Sequence, residues 1–140
     1  MEVLENIVDY GILSLLALMG FVALWLFIER LLYFKKVDIS VFTSKESLEL
    51  DLTKHLSTIA TIGSNAPYIG LLGTVFGIML TFYQLGSDGQ VETKEIMIGL
   101  ALALKATAMG LVIAIPSIVF YNTLLRKCEV QLTRFQEKAS

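Results

Sequence analysis

The apolar residues of this chain are gathered into three runs without a charged side chain, residues 10–28, 56–87 and 106–125, of 19, 32 and 20 residues. A helix needs about 20 apolar residues to cross the hydrocarbon core of a bilayer, so each run predicts one membrane-spanning helix. The second run is too long for a single crossing, and its approach has a different pattern. Leu48, Leu52, Leu56, Ile59 and Ile62 recur at helical spacing, as on the buried face of an amphipathic helix. Thr43 followed three residues later by Glu46 fits a capping box. A helix from about residue 44 is therefore expected to lead into the second span. Pro67 is expected to bend it at the membrane entry, because proline lacks the N–H of a helical hydrogen bond. The polar stretch Gly-Ser-Asp-Gly-Gln-Val-Glu-Thr-Lys-Glu at 86–95 predicts a short turn, so spans two and three form an antiparallel hairpin. The third helix, from about Lys94 to beyond Cys128, is too long to lie wholly in lipid.

The expected organisation is a first span and its exit at 1–36, a short segment carrying the amphipathic helix at 37–65, and a second span at 66–85. A turn follows at 86–95, then a third span at 96–125 and a projecting helix end at 126–140. The fold class is an all-α membrane protein with three transmembrane helices extended into the cytoplasm.

Composition narrows the function classes. The chain is 55% hydrophobic and only 17% charged, against about 25% charge in a soluble domain. A soluble enzyme, a nucleic-acid-binding domain and a disulfide-stapled secreted module are all excluded. A lone cysteine, Cys128, permits no internal disulfide and offers no metal-ligand spacing. No nucleophile–base pair, phosphate loop or metal cluster is evident, so no enzymatic, cofactor or metal role is expected. The chain opens on Glu2, Glu5 and Asp9 instead of a basic region, unlike a cleavable signal peptide, and the first run is expected to remain as an anchor.

The eleven lysines and arginines are unevenly placed. None precedes span one. Arg30, Lys35, Lys36, Lys45 and Lys54 lie between spans one and two, Lys94 between two and three, and Arg126, Lys127, Arg134 and Lys138 after span three. The positive-inside rule then puts the N-terminus outside, the 30–62 segment and the C-terminus in the cytoplasm, and the 86–95 turn outside.

On a helix of about 100° per residue, the small and polar residues of span two share one stripe that includes Gly70, Gly73, Thr74, Gly77 and Thr81. Span three repeats it with Ala103, Ala106, Thr107, Gly110 and Ala114. Such faces let two helices approach closely, and the simplest role for the glycines is packing within one chain. Thr74 and Thr107 put hydroxyls near the bilayer centre. They either bond helix backbone or tie the two helices together, or they line a narrow polar path through an assembly. Pro116 leaves the carbonyl of Val112 without its helical partner. Lys105 is the one ionisable side chain inside a span, about 160° around the helix from Thr107, with two open roles: snorkelling to the outer interface or pairing at a subunit contact. His55 falls on the apolar face of the cytoplasmic helix. Proton translocation needs a group that takes up and releases a proton within the membrane, usually Asp, Glu or His. The spans contain none, so a proton-conducting role requires a partner that supplies the carboxylate.

Two segments carry a family resemblance. Ala-Pro-Tyr-Ile-Gly-Leu-Leu-Gly-Thr-Val-Phe-Gly-Ile-Met at 66–79 resembles the second-span motif of the ExbB/TolQ/MotA family. Ala-Thr-Ala-Met-Gly-Leu-Val-Ile-Ala-Ile-Pro-Ser-Ile-Val-Phe-Tyr-Asn at 106–122 resembles its third-span motif, nearest to the ExbB branch. The resemblance implies a homo-oligomeric ring, a pentamer, in the bacterial inner membrane around the single spans of an ExbD-like protein whose aspartate carries the proton. Such a complex uses the proton-motive force to drive a TonB-like transducer for outer-membrane import of iron chelates, cobalamin and similar cargo. Thr74 and Thr107 would then be the pore-facing threonines, and Asn122 the polar residue that ends the third-span motif. Gly70, Gly73, Gly77, Thr81, Ala103, Gly110, Ala114, Pro116 and Asn122 would serve helix packing and contact with the partner span.

Two positions depart from the pattern. Leu102 stands where relatives often carry a glutamate, and Lys105 stands where an apolar residue is usual. A TolQ-like subunit of a Tol–Pal envelope motor, or a non-conducting scaffold for a single-span partner, are the alternatives. A nucleic-acid partner is not expected; the bilayer is.

Overall fold

The computed structural model describes residues 2–89 and 92–139. Four α-helices occur among them: α1, Glu2–Lys36; α2, Lys45–Leu52; α3, Leu56–Asp88; and α4, Thr93–Ala139. Three segments are long and apolar enough to cross a membrane, Val3–Lys36, Leu56–Ser87 and Thr93–Ala139. The all-helical, three-span architecture expected from the hydropathy pattern is therefore present.

The hairpin of α3 and α4 forms the spine, and α1 lies along it against both. The two helices extend further into the polar stretch at 86–95 than its composition suggested. Helix α3 runs on to Asp88, where Gly89 takes a left-handed conformation (φ 69°) and its N–H donates to the carbonyl of Leu85 at 3.2 Å. That is a common way to close a helix, since glycine has no Cβ to clash there. Polar residues at a helix end are solvated as readily as those in a loop, so composition alone overstated the turn. Gln90 and Val91 lie outside the described residues.

The segment after α1 also differs from expectation. A short 3-10 turn, Ile39–Val41, is capped by Asp38, whose carboxylate accepts from the Ser40 amide at 3.0 Å and the Ser40 hydroxyl at 2.5 Å. Those bonds hold the Asp38 carboxyl below its usual range. Helix α2 is capped by Ser44, whose hydroxyl oxygen accepts from the Ser47 amide at 3.1 Å, one residue later than the Thr43–Glu46 box. The continuous helix expected from residue 44 is broken at Thr53–His55, where His55 is left-handed (φ 72°). Leu48, Leu52, Leu56, Ile59 and Ile62 are nonetheless all buried, so the apolar face survives the break. The helical run continues through Pro67 and Pro116, and the elbow sits at His55 instead.

Below the spans Leu48, Leu52, Leu56 and Ile59 make a core with Ile39, Leu124 and Cys128. Phe27 of α1 stacks on Phe120 of α4, with ring centroids 4.2 Å apart and planes at 8°. Tyr33, Phe34 and Tyr121 pack against the same core. Tyr10, Trp25 and Tyr83 are exposed, as aromatic residues near the ends of membrane spans commonly are.

Candidate functional site: the threonine seam

The two small-residue stripes face each other. A Cβ on Gly70 would lie 2.5 Å from the carbonyl oxygen of Ala106 and 3.1 Å from the Cα of Gly110. A Cβ on Gly110 would lie 2.6 Å from the carbonyl oxygen of Ala66. Gly77 abuts the methyl and Cα of Ala103, and Gly99 makes room for the side chain of Thr81. Backbones this close leave no room for a side chain, which is why glycine recurs at these crossings. Ala114 is buried against Ala66 and Leu16 of α1. The stripe residues expected to pack within one chain do so.

At the middle of this seam, Thr74 and Thr107 are hydrogen-bonded through their hydroxyls. The Thr74 hydroxyl also donates to the carbonyl of Ala103, across the seam, at 2.8 Å. Because a hydroxyl has one proton, the Thr74 proton belongs to Ala103 and Thr107 donates to Thr74. Thr74 is 7% exposed, while Thr107 is half-buried. The pair ties the two helices together, and Thr74 alone also lies within 3.4 Å of the carbonyl four residues back on its own helix, that of Gly70.

The pair also has a side. A Cβ on Gly73 would lie 3.1 Å from Ile12 of α1 and 2.7 Å from the Cβ of Ala106, so these residues mark the edge of the seam covered by α1. Thr74 and Thr107 each follow by one residue, roughly 100° further around their helices, on the opposite edge. Leu71, Leu104 and Leu111, which flank the pair there, are exposed. The hydroxyls thus lie just beneath the uncovered edge of the hairpin.

Pro116 and Asn122 are exposed and do not join the seam. Lys105 is also exposed, on the side of α4 away from α3. Thr81 lies in the seam near its outer end, donating to the carbonyl of Gly77 at 2.9 Å. There a cleft of about 530 Å³ lies between α1 and the hairpin, lined by Glu5, Asp9, Thr81, Gln84, Glu95 and Leu102.

One node has no counterpart in the sequence-based expectations. Arg30 is only 2% exposed, although it ends the first apolar run. Its Nη1 donates to the carbonyls of Asp51 at 2.7 Å and Leu52 at 3.2 Å. Its Nε pairs with Glu29 at 2.9 Å, and its guanidinium lies 4.0 Å from the Tyr33 ring centroid. Tyr33 in turn donates to the Asp51 carboxylate, and the Cys128 thiol donates to the Leu52 carbonyl at 3.4 Å. The last carbonyls of a helix have no partner within it and carry a partial negative charge. Arg30 and Cys128 satisfy them at the end of α2. In the sequence Arg30 counted only towards orientation, and its one local signal was the adjacent Glu29.

Residues 36–137 match the model of the MotA/TolQ/ExbB proton channel family. The chain belongs to that family. Similarity to individual members of the MotA/TolQ/ExbB family extends over nearly the whole chain. It is 57% identical over 132 residues to the biopolymer transport protein ExbB of Aquifex aeolicus, covering 94% of this chain and 89% of that protein. It is 48% identical over 136 residues to the ExbB of Helicobacter pylori, covering 97% and 94%. The Tol-Pal system protein TolQ of Pseudomonas aeruginosa is more distant, 38% identical over 101 residues, which are 72% of this chain and 42% of that protein. With its three apolar helices, membership of the MotA/TolQ/ExbB family makes the chain a multi-pass inner-membrane protein.

Proposed function

We propose that this chain is the ring-forming, ExbB-like subunit of a motor driven by the proton-motive force. Copies of it, five by family resemblance, would enclose the span of an ExbD-like partner and together energise a TonB-like transducer for outer-membrane import. The protein acts as the wall of a conduit, not as an enzyme. The N-terminus is periplasmic and the C-terminus cytoplasmic.

The observation that carries this reading is the position of the threonine pair. The two hydroxyls lie at the uncovered edge of the α3–α4 seam, opposite α1, in spans with no Asp, Glu or His. That edge offers hydrogen-bonding oxygens to a neighbouring span but nothing that titrates, so the proton carrier must come from the partner. Asn122, exposed towards the cytoplasmic end of α4, extends the polar positions available to such a span. One charge crossing 100 mV releases about 2.3 kcal/mol, enough over several protons to drive a bistable partner.

Purification of the native complex tests the assignment. A ring of this chain should carry a single-span protein with an aspartate just inside its apolar run and a periplasmic domain. A ring that retains no such protein would support the scaffold reading instead.

A further inference from the structure

Lys105 is the one charged side chain inside a span, and the packing of α1 on α4 brings a carboxylate within its reach. It is exposed on α4, where an ammonium without a counter-charge is unfavourable in lipid. Neither Lys105 nor Asp9 has an ion-pair partner among the described residues.

Helices α1 and α4 run parallel in a fixed register. Ile12 and Ala106 meet at Gly73, Gly20 faces Ile113, and Phe27 stacks on Phe120. Asp9, three residues before Ile12, is therefore level with Ala103, three residues before Ala106. It also faces α4, because eighteen residues, about five full turns, separate it from Phe27. On α4, Ile98 and Leu102 line the cleft together with Asp9. Lys105 follows Ile98 by seven residues, about 20° from it around the helix, so it stands on the same edge of the cleft. Helical side chains lean towards the N-terminus of their helix, which carries the Lys105 stem towards the level of Asp9, about 3 Å away along the axis. Glu5 and Glu95, the other carboxylates of the cleft, lie about 9 Å and 15 Å from Lys105 in the same measure, beyond a four-carbon stem.

We propose that Lys105 swings over the exposed Leu102 to pair with Asp9 of the same chain, latching the outer half of α1 to α4 across the cleft. The attraction between opposite charges strengthens as the dielectric constant falls, so the pair is favoured where lipid replaces water at this edge. The register supplies both partners within one chain, and the latch does not depend on the ring. Further along, α1 is held to α4 by the apolar contacts of Gly20 and Phe27. The cleft is where such contacts are missing, and there a charged latch has a role to fill.

Spin labels on cysteines at Val3 and Met97, both exposed, read the separation of α1 and α4 across the cleft in a Cys128→Ala background in liposomes. Labelled chains are diluted among unlabelled ones, so that only distances within a chain are measured. With Asp9 and Lys105 intact, the distance distribution should be narrow. Lys105→Met and Asp9→Asn should each raise the population of longer distances by about tenfold. Lys105→Arg and Asp9→Glu, which keep the charges, should stay narrow, and the double neutral variant should be no broader than either single one. A short bifunctional thiol reagent should also bridge Asp9→Cys and Lys105→Cys within one chain of the same background. Distributions unchanged in both neutral variants, additive broadening in the double variant, or bridges that form only between chains would each overturn the latch.

Discussion

Thr74 and Thr107 are joined hydroxyl to hydroxyl across the α3–α4 seam, and Thr74 anchors the pair by donating to the Ala103 carbonyl at 2.8 Å. Thr107 has a longer contact of its own to the Gly70 carbonyl, 3.5 Å. The two side chains therefore act as one unit, and changing either alters what the other can do.

A double-mutant cycle should expose this coupling. Thr74→Val and Thr107→Val should each cost about 1 kcal/mol of stability, measured by denaturant titration in detergent. The double variant should cost less than the sum by about 0.5 kcal/mol or more, because the shared bond is lost only once. Strict additivity would mean that the hydroxyls act independently.

The glycines divide into two classes with opposite expectations. Gly70→Ala and Gly110→Ala place a methyl 2.5–2.6 Å from a backbone oxygen of the facing helix, which no side-chain movement relieves. Each should destabilise the hairpin by about 1–3 kcal/mol and raise its susceptibility to proteolysis. Gly86→Ala has nothing within 4 Å and should be neutral or stabilising by up to about 1 kcal/mol, since alanine favours helix. Equal effects at Gly70 and Gly86 would contradict the packing described.

Arg30 holds the end of α2 against α1. Arg30→Met keeps the length of the side chain but removes the guanidinium from the carbonyls of Asp51 and Leu52, leaving them only the longer contacts from the Lys54 amide and the Cys128 thiol, each 3.4 Å. The expected loss is about 3 kcal/mol, accompanied by protease cleavage near residues 53–55 before any cut within α3. If that elbow stays protected, Arg30 does not hold it.

Much of the fold and part of the site were legible from the order of residues. The absence of charge over 56–87 and 106–125 is enough to place α3 and α4, because burying an ionised group in lipid is too costly. The small-residue stripes were legible for the same kind of reason, since glycine at these crossings serves close approach. The break at His55 was not. Leu48 to Ile62 keep one apolar face whether or not the helix is continuous, so periodicity does not distinguish the two cases. Arg30 was hidden differently. Its carbonyl partners lie 21 and 22 residues away, and backbone acceptors leave no mark in a sequence. The side of the hairpin on which Thr74 and Thr107 lie depended on where α1 packs, which only the structure supplies.

The elbow itself gives a further prediction. His55 adopts a left-handed conformation, which costs a non-glycine residue roughly 1–2 kcal/mol. His55→Gly should therefore stabilise the fold by about 1 kcal/mol, and His55→Ala should not. If glycine is the more destabilising of the two in thermal melts, the imidazole makes a contribution that outweighs the strain.

The most direct test of a conduit wall that lacks its own proton carrier is passive proton flux into liposomes under an imposed potential. The chain alone should conduct no protons, and the chain reconstituted with its aspartate-bearing single-span partner should conduct them. Thr74→Val together with Thr107→Val should lower that flux at unchanged assembly. Flux through the chain alone, or full flux through the doubly substituted complex, would contradict the role assigned to the threonine seam.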